Sequence, residues 1–301
     1  MASRTPPLLE PYVRLPHETS LILLSGVLGT STNWLVQRYL HTLLTSSSSS
    51  PSPSSPNNNS NPSSQPQHAS SVSVVLVSFL RDHAFWKDGC RRLGLDLEQT
   101  SRKGSFAFVD GLTGLFVPGR SNNNKVEDEA RGGGKYVLRE ATAEHFRKTV
   151  EDAVQRVQLS AAAAGGGEAQ TVLVIDQPDL LLAVANDAMT AQDLRGAILA
   201  LREKVHSCIV TVSADEPLIA AQGTTLEKEH ASLALSLAHD AQLVMSLRML
   251  ETGTAKDVSG VLRITPGGDE DTAGTTTAVE DRELLYFIGG DGGFRVFERG
   301  Q

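Results

Sequence analysis

Residues Leu21–Trp34 read LILLSGVLGTSTNW. A short apolar strand runs into a turn that carries two glycines, and a helical pattern follows, with Leu35, Tyr39 and Leu43 on one face. P-loop ATPases place a strand, a turn and a helix in this same order, and their turn carries the motif G-x-x-x-x-G-K-[ST]. The lysine of that motif contacts the phosphates, and the adjacent hydroxyl holds Mg²⁺.

The residues that would bind a nucleotide are missing from this turn. Gly26 aligns with the first glycine of the motif, and Gly29 lies within the turn. The positions of the second glycine, the lysine and the Ser/Thr are held by Ser31, Thr32 and Asn33. Charge-assisted hydrogen bonds of the kind that the lysine makes are worth about 1.5–3 kcal/mol each. We therefore expect a degenerate nucleotide loop and no catalytic residues in this chain.

The composition limits the function classes. A chain of 301 residues, 40% of them hydrophobic, can bury a sizeable core as one large domain or two small ones. Its formal net charge of -8 argues against a free-standing nucleic-acid binder, because phosphate binding relies on clustered Lys and Arg. No apolar run reaches the ~18 residues of a membrane span, and the N-terminus lacks the apolar stretch of a signal peptide. We expect a soluble intracellular protein that does not bind a membrane.

Strand-like runs alternate with helical patterns along most of the chain, as in α/β domains. The runs are Leu21–Leu24, Ser73–Phe79, Phe106–Val109, Thr171–Ile175, Cys208–Val212 and Gln242–Leu247. The C-terminal part then reads as further strands at Val258–Thr265, Glu283–Ile288 and Phe294–Glu298, the last two joined by a glycine-rich hairpin turn. Parallel strands followed by antiparallel edge strands predict a RecA-like (P-loop NTPase-like) α/β fold, with helices flanking a mostly parallel sheet. A doubly wound Rossmann-type domain is the main alternative.

Three low-complexity stretches interrupt this pattern, at about 45–71, 118–135 and 161–168. They consist largely of Ser, Pro, Asn, Gln, Gly and Ala and contain little that could be buried, so we predict disordered insertions. A loop of ~26 residues costs only about 1.5 kcal/mol more to close than one of ~5. The insertions can therefore lie within one domain that spans residues 1–301.

Two further groups of residues could carry function. Asp176 ends an apolar strand at the Walker B position, whose carboxylate holds Mg²⁺ in P-loop ATPases. Without a lysine at position 32, a turn-forming or helix-capping role is the favoured interpretation. Arg81, Asp82, Phe85 and Trp86 follow the second strand and form a candidate partner interface, since such residue types concentrate at interfaces. For Trp86 itself the favoured interpretation is that it anchors its helix to the sheet, and an exposed position at a partner interface is the functional alternative.

Other chemistries have little support in the sequence. Asp110 also ends a strand, but the Asp-Gly that it begins is equally typical of a turn. The eight histidines lack the H-E-x-x-H spacing, and no C-x-x-C occurs, so we expect no metal site. Cys90 and Cys208 lie in apolar patterns and are expected to be buried.

Several ordered segments together resemble the sixth subunit of the Elongator complex, in its fungal form. These segments are Leu24–Leu35, Val75–Asp82 with Phe85-Trp86, Arg92–Leu97, Phe108–Phe116, the strand that ends at Asp176-Gln177-Pro178, and Ser259–Thr265. The resemblance covers the chain outside the low-complexity insertions. It implies a RecA-like subunit without working Walker motifs, which needs no cofactor of its own.

The resemblance also implies partners and a process. Two copies of the chain would form a heterohexameric ring with the fourth and fifth Elongator subunits, and the ring would bind tRNA and dock on the catalytic Elongator core. The whole complex modifies the wobble uridine (U34) of tRNA, mainly in the cytoplasm, with a nuclear fraction left open.

Two alternatives from other function classes stay open on the residues alone. The first is an active NTPase with an atypical phosphate-binding loop, to which Lys103, Lys135 or a partner's arginine supplies charge. The second is a dinucleotide-dependent oxidoreductase, although Gly26–Gly29 lacks the G-x-G-x-x-G spacing.

Overall fold

The computed structural model describes residues 5–46, 72–117, 135–164, 170–185, 188–251, 253, 255–268, 280–290 and 293–299. Its strands lie in one sheet in the order β10-β9-β8-β7-β1-β6-β5-β2-β3-β4. They are β1 Leu21–Gly26, β2 Val72–Ser78, β3 Phe106–Asp110, β4 Lys135–Val137, β5 Gln170–Asp176, β6 Ser207–Ser213, β7 Leu243–Arg248, β8 Gly260–Pro266, β9 Arg282–Ile288 and β10 Phe294–Phe297. The neighbouring strands in the run β7-β1-β6-β5-β2-β3-β4 pair in parallel. The pairs β7-β8, β8-β9 and β9-β10 are antiparallel.

Helices cover both faces of the parallel part. They are α1 Asn33–Ser46, α2 His83–Arg92, α3 Leu97–Arg102, α4 Thr113–Phe116, α5 Ala143–Ala163, α6 Leu180–Ala185, α7 Ala191–Arg202 and α8 Thr225–Asp240, with a π-helical turn at Pro217–Ala221. Helices α7 and α8 each begin with a capping box, at Thr190 and Thr224, which satisfies amides that a helix start leaves without partners.

The core has two halves, one on each side of the sheet. On one side α1 and α2 bury Tyr39 and Trp86 against the strands, and on the other side α5, α7 and α8 bury their apolar stripes. On the first side Trp34 lies with its ring centroid 5.2 Å from those of Tyr286 and Phe294. The guanidinium of Arg38 lies 3.8 Å from the Phe294 centroid. Helix α1 is thereby joined to the antiparallel strands β9 and β10.

The architecture agrees with the expected mostly parallel sheet followed by antiparallel edge strands. The observed order places β1 between β7 and β6. A Rossmann domain has the order 3-2-1-4-5-6, so the alternative of a doubly wound dinucleotide-binding sheet does not fit.

Some predicted boundaries differ from the structure. Helix α1 continues through Ser46 and α5 through Ala163, so each occupies the start of a stretch that we predicted to be an insertion. Residues 47–71, 118–134 and 165–168 of the predicted insertions lie outside the described residues. Strand β4 was not predicted. It has three residues, of which Lys135 and Val137 are exposed, and so it gives no periodic signal.

A buried acid and a buried histidine hold the end of β6 from both sides. Oδ2 of Asp179 accepts a hydrogen bond from the Ser213 amide at 3.4 Å, and Nε2 of His230 lies 2.8 Å from the Ser213 carbonyl oxygen. A carbonyl oxygen only accepts, so Nε2 must carry a proton. The other ring nitrogen, Nδ1, is 3.7 Å from Oδ2 of Asp179. Burial raises the pKa of Asp179 to about 6, and the neighbouring His230 opposes that rise.

We expect Asp179→Asn to change how stability depends on pH. Because the pKa of Asp179 is raised, the folded protein holds this proton more tightly than the unfolded chain does. Its stabilising contribution is complete below about pH 4 and is lost as the pH rises through about 6. Asparagine has no such proton to lose, so the variant should gain stability relative to wild type between about pH 4 and pH 7.

Urea unfolding across this pH range measures the difference between the two proteins. The exposed Asp88→Asn serves as the control and should parallel wild type. A difference between Asp179→Asn and wild type that does not vary with pH would contradict the assignment.

Candidate functional site

The candidate site lies at the carboxyl end of β1. Strands β1 and β6 are neighbours, but the helices that follow them, α1 and α8, pack on opposite faces of the sheet. Loops that leave neighbouring strands toward opposite faces form a crevice, and open α/β sheets bind their ligands in such crevices. The β1–α1 loop, residues 27–32, borders this crevice.

The backbone of the β1–α1 loop is closed by its own contacts. The amide and the hydroxyl of Thr30 both donate to the Val27 carbonyl, at 2.9 and 2.7 Å. Gly29 has φ of +90°, and a Cβ there would lie 3.2 Å from Sδ of Met249. Glycine is therefore needed at position 29 for two reasons: its backbone is in the left-handed conformation, and the loop approaches Met249 closely.

An internal carboxylate occupies the position at the loop where an anionic ligand would bind. The amide of Leu28 donates to Oδ1 of Asp215 at 2.6 Å. Asp215 follows β6, so this hydrogen bond spans the crevice. In phosphate-binding loops the backbone amides point at the ligand, and the positive end of the helix dipole favours its charge. Here one of those amides already has an anionic partner, and the same carboxylate repels a second anion.

The three residues at the degenerate motif positions supply no cation. Ser31 is exposed, and its Oγ accepts a hydrogen bond from the Asn33 amide at 3.3 Å. Thr32 is buried at the start of α1, and Asn33 is the first residue of that helix. The structure therefore places Gly26, Gly29, Ser31, Thr32 and Asn33 in one loop, without a positive side chain among them.

Asp176 is held by hydroxyl groups of the two strands beside its own. Its Oδ2 accepts from Ser78 Oγ at 2.8 Å, and its Oδ1 accepts from Thr211 Oγ1 at 2.9 Å. The side chain is 1% exposed. Burial raises its pKa, and the two hydroxyl hydrogen bonds act in the opposite direction. The carboxylate thus joins β2, β5 and β6.

The Walker-B-like position and the β1–α1 loop are separated by the width of two strands. Thr211 pairs with both Asp176 and Leu24, so Asp176 lies about 10 Å from β1 across β6. Binding Mg²⁺ at Asp176 would require replacing two buried hydrogen bonds, which supports the structural interpretation of this residue.

The structure adds two residues that the sequence analysis did not select, Asp215 and Gln177. Gln177 has φ of +57°, which is uncommon for a residue other than glycine. Its amide donates to Thr211 Oγ1 at 2.9 Å, and its Oε1 accepts from Ser213 Oγ at 2.8 Å. Gln177 directly follows β5 and Asp215 is the second residue after β6, and this position beside a buried strand could have drawn attention to them.

The remaining charged candidates are not near the loop. Lys135 lies on β4, the fifth strand along from β1 and about 24 Å away. Lys103 is the C-cap residue of α3 and comes just before β3. It therefore lies at the opposite, amino edge of the sheet. Oδ1 of Asp110 accepts from the amides of Leu112 and Thr113, at 3.0 and 2.7 Å, as in a turn.

The four residues of the candidate partner interface divide into surface and core. Trp86 is 0% exposed within the core beneath α2, which corrects its assignment to an interface and supports the anchoring role. Asp82 caps α2 by accepting from the Phe85 amide at 2.9 Å. The Arg81 guanidinium lies 5.0 Å from the Phe85 centroid, and both side chains are exposed. Arg81, Asp82 and Phe85 remain a predicted contact surface.

Metal, thiol and membrane chemistry find no support within the described ranges. No group of three His, Cys, Asp or Glu residues there could hold a metal ion. Cys90 and Cys208 are buried, and burial raises the pKa of each thiol to about 12. None of the described helices is both long and apolar enough to cross a bilayer.

Solved structures share this fold. An uncharacterized protein of Pyrococcus horikoshii, crystallised with an unknown peptide, is similar with a TM-score of 0.58 and 11% identity, over 98% of each chain. A KaiC-like protein of the same archaeon is similar with a TM-score of 0.51 and 14% identity, over 99% of this chain and 98% of that one. The similarity to a KaiC-like protein confirms the predicted RecA-like fold.

Sequence comparison gives the family. A curated protein of Schizosaccharomyces pombe (strain 972 / ATCC 24843), "Elongator complex protein 6 homolog", is 25% identical over 289 residues, covering 95% of this chain and 94% of the relative. The family model described as "Elongation complex protein 6" matches residues 68–286. Since that match spans well over half of the chain and agrees with the resemblance of its ordered segments, the chain belongs to the Elongation complex protein 6 family.

Proposed function

We propose that this chain is a non-catalytic subunit of the Elongator complex. In this proposal two copies form a heterohexameric RecA-like ring with the fourth and fifth subunits. The ring binds tRNA, docks on the catalytic core and supports modification of the wobble uridine. Family membership supports the place in the complex, and the hydrogen bond between Leu28 and Asp215 supports the absence of catalysis.

The non-catalytic role follows from the charges at the crevice. Nucleotide phosphates need cations and free amides, and the β1–α1 loop offers an amide already bound to a carboxylate. The second acid that nucleotide hydrolysis needs, Asp176, is buried and bound by two hydroxyls. Any ATP hydrolysis by the ring is therefore assigned to the partner subunits.

Binding of tRNA is assigned to the assembled ring, because this chain lacks the electrostatics to bind RNA alone. Its formal net charge is -8, whereas RNA affinity depends on neutralising phosphates with Lys and Arg. Basic loops of the fourth and fifth subunits must then supply most of the contacts. We place the complex in the cytoplasm, with a nuclear fraction as a second location.

The alternative of an active NTPase with an atypical loop would need a cation from elsewhere. Neither Lys135 nor Lys103 is near the β1–α1 loop, so of the three cations considered for this alternative only an arginine from a partner remains. Such an arginine would also be attracted to the carboxylate of Asp215, which competes with a phosphate for its charge.

We expect Asp176→Asn to alter stability and to leave ATP turnover unchanged. The amide keeps the shape of the carboxylate but cannot accept both hydroxyl hydrogen bonds, so unfolding should become easier by about 1–3 kcal/mol. Turnover by the co-purified ring should stay within about twofold of wild type, whereas loss of a Mg²⁺ ligand would lower it by orders of magnitude. Loss of turnover in Asp176→Asn, with the exposed Asp152→Asn fully active, would establish the NTPase alternative.

The assembly itself is tested by co-expression with the fourth and fifth subunits. Native mass spectrometry should give a six-subunit particle that contains two copies of each chain. Its affinity for tRNA should fall steeply as salt is raised from about 50 to 200 mM, because counterion release drives phosphate binding. The isolated chain should bind tRNA far more weakly. A chain that remains alone in the presence of both partners would contradict the proposed function.

A further inference from the structure

The tip of the β1–α1 loop presents an apolar side chain to solvent. Leu28 is 87% exposed, more than any other large apolar side chain in the part of the chain that the structure describes. Single exposed leucines are common and need no explanation on their own. Leu28 differs because the backbone that carries it is fixed from several directions.

Contacts to residues at the ends of two neighbouring strands, β6 and β7, hold the loop. The Leu28 amide is bound to Asp215 beyond the end of β6, and the Val27 amide donates to the Leu247 carbonyl of β7 at 3.3 Å. Gly29 rests against Met249, which follows β7. A backbone this constrained loses little further freedom when a partner binds its tip, so the loop backbone is preorganised for binding.

The charges beside Leu28 indicate what can bind there. The carboxylate of Asp215 accepts from the Leu28 amide, and the next residue, Glu216, is exposed. Two adjacent carboxylates repel phosphate groups, which disfavours a nucleotide or RNA at this tip. They favour a protein surface on which lysine or arginine side chains surround an apolar pocket.

We propose that Leu28 is an anchor that inserts into an apolar pocket, bordered by Lys or Arg, on a neighbouring protein subunit. This inference rests on the proposed function, because the neighbour is the fourth or fifth subunit of the ring. The loop that holds a nucleotide in a working P-loop subunit here serves as a rigid contact between subunits.

The test measures the affinity of purified full-length variants for a co-purified complex of the fourth and fifth subunits. Leu28→Ser should bind at least tenfold more weakly, because a buried leucine side chain contributes at least that much. Leu28→Met should remain within about threefold of wild type, since methionine adapts to apolar pockets. Leu159→Ser is the matched control, because Leu159 is 63% exposed on α5, and it should bind like wild type. Thermal midpoints should be unchanged in Leu28→Ser.

A second variant tests the charge of the pocket rim. Glu216→Gln should make the subunit affinity less sensitive to salt, because one rim ion pair is lost. An unchanged salt slope would overturn the cationic rim.

The outcomes separate this inference from the proposed function. If wild type binds the two subunits and Leu28→Ser binds equally well, the anchor is overturned while the ring remains. If Leu28→Ser assembles normally but its ring loses tRNA affinity, the tip contacts RNA and the inference is wrong. If wild type does not bind the subunits at all, the proposed function fails, and the anchor fails with it.

Discussion

The parallel strands in the middle of the sheet have to be covered on both faces, and the rest of the structure depends on that constraint. Parallel strands need crossover connections, and those connections are helices that pack on the sheet. Strand β2 is buried along its whole length as a result. Helices α1 and α2 cover one face and α5, α7 and α8 the other, which opens a crevice where the connections that follow β1 and β6 leave toward opposite faces. A functional site at this edge is thus a consequence of topology.

In this chain the carboxyl edge of the sheet is satisfied from within. Asp215 binds the loop amide, Asp176 binds two hydroxyls, and Gln177 and Asp179 hold the end of β6. Each of these residues would be available to a ligand in a binding site, and here each has a hydrogen-bond partner in a neighbouring strand or in the β1–α1 loop, although Oδ1 of Asp179 is left without one among the described residues. The edge therefore keeps the geometry of a nucleotide site while its polar groups stabilise the fold.

The sequence predicted the fold better than it predicted the site. Buried parallel strands are continuous apolar runs, so β1 to β3 and β5 to β7 could be located to within one or two residues. Strand β4 gave no such signal because two of its three residues are exposed. Trp86 could not be assigned to core or surface from its neighbours alone. The hydrogen bond of Asp215 could not be predicted, because its partner, Leu28, is 187 positions away along the chain.

The hydrogen bond between Leu28 and Asp215 also bears on the evolution of the chain. Once a carboxylate binds the loop, a mutation that returns a lysine to position 32 adds a cation to a loop that already holds an anion. The new charge would be neutralised internally, and affinity for nucleotide would not return until Asp215 was lost as well. The loop also lacks the second glycine and the Ser/Thr of the motif, so building a phosphate-binding loop here takes changes at positions 31, 32 and 33 as well as at Asp215. A single change that places a lysine at position 32 is therefore not sufficient to create a nucleotide site at this loop.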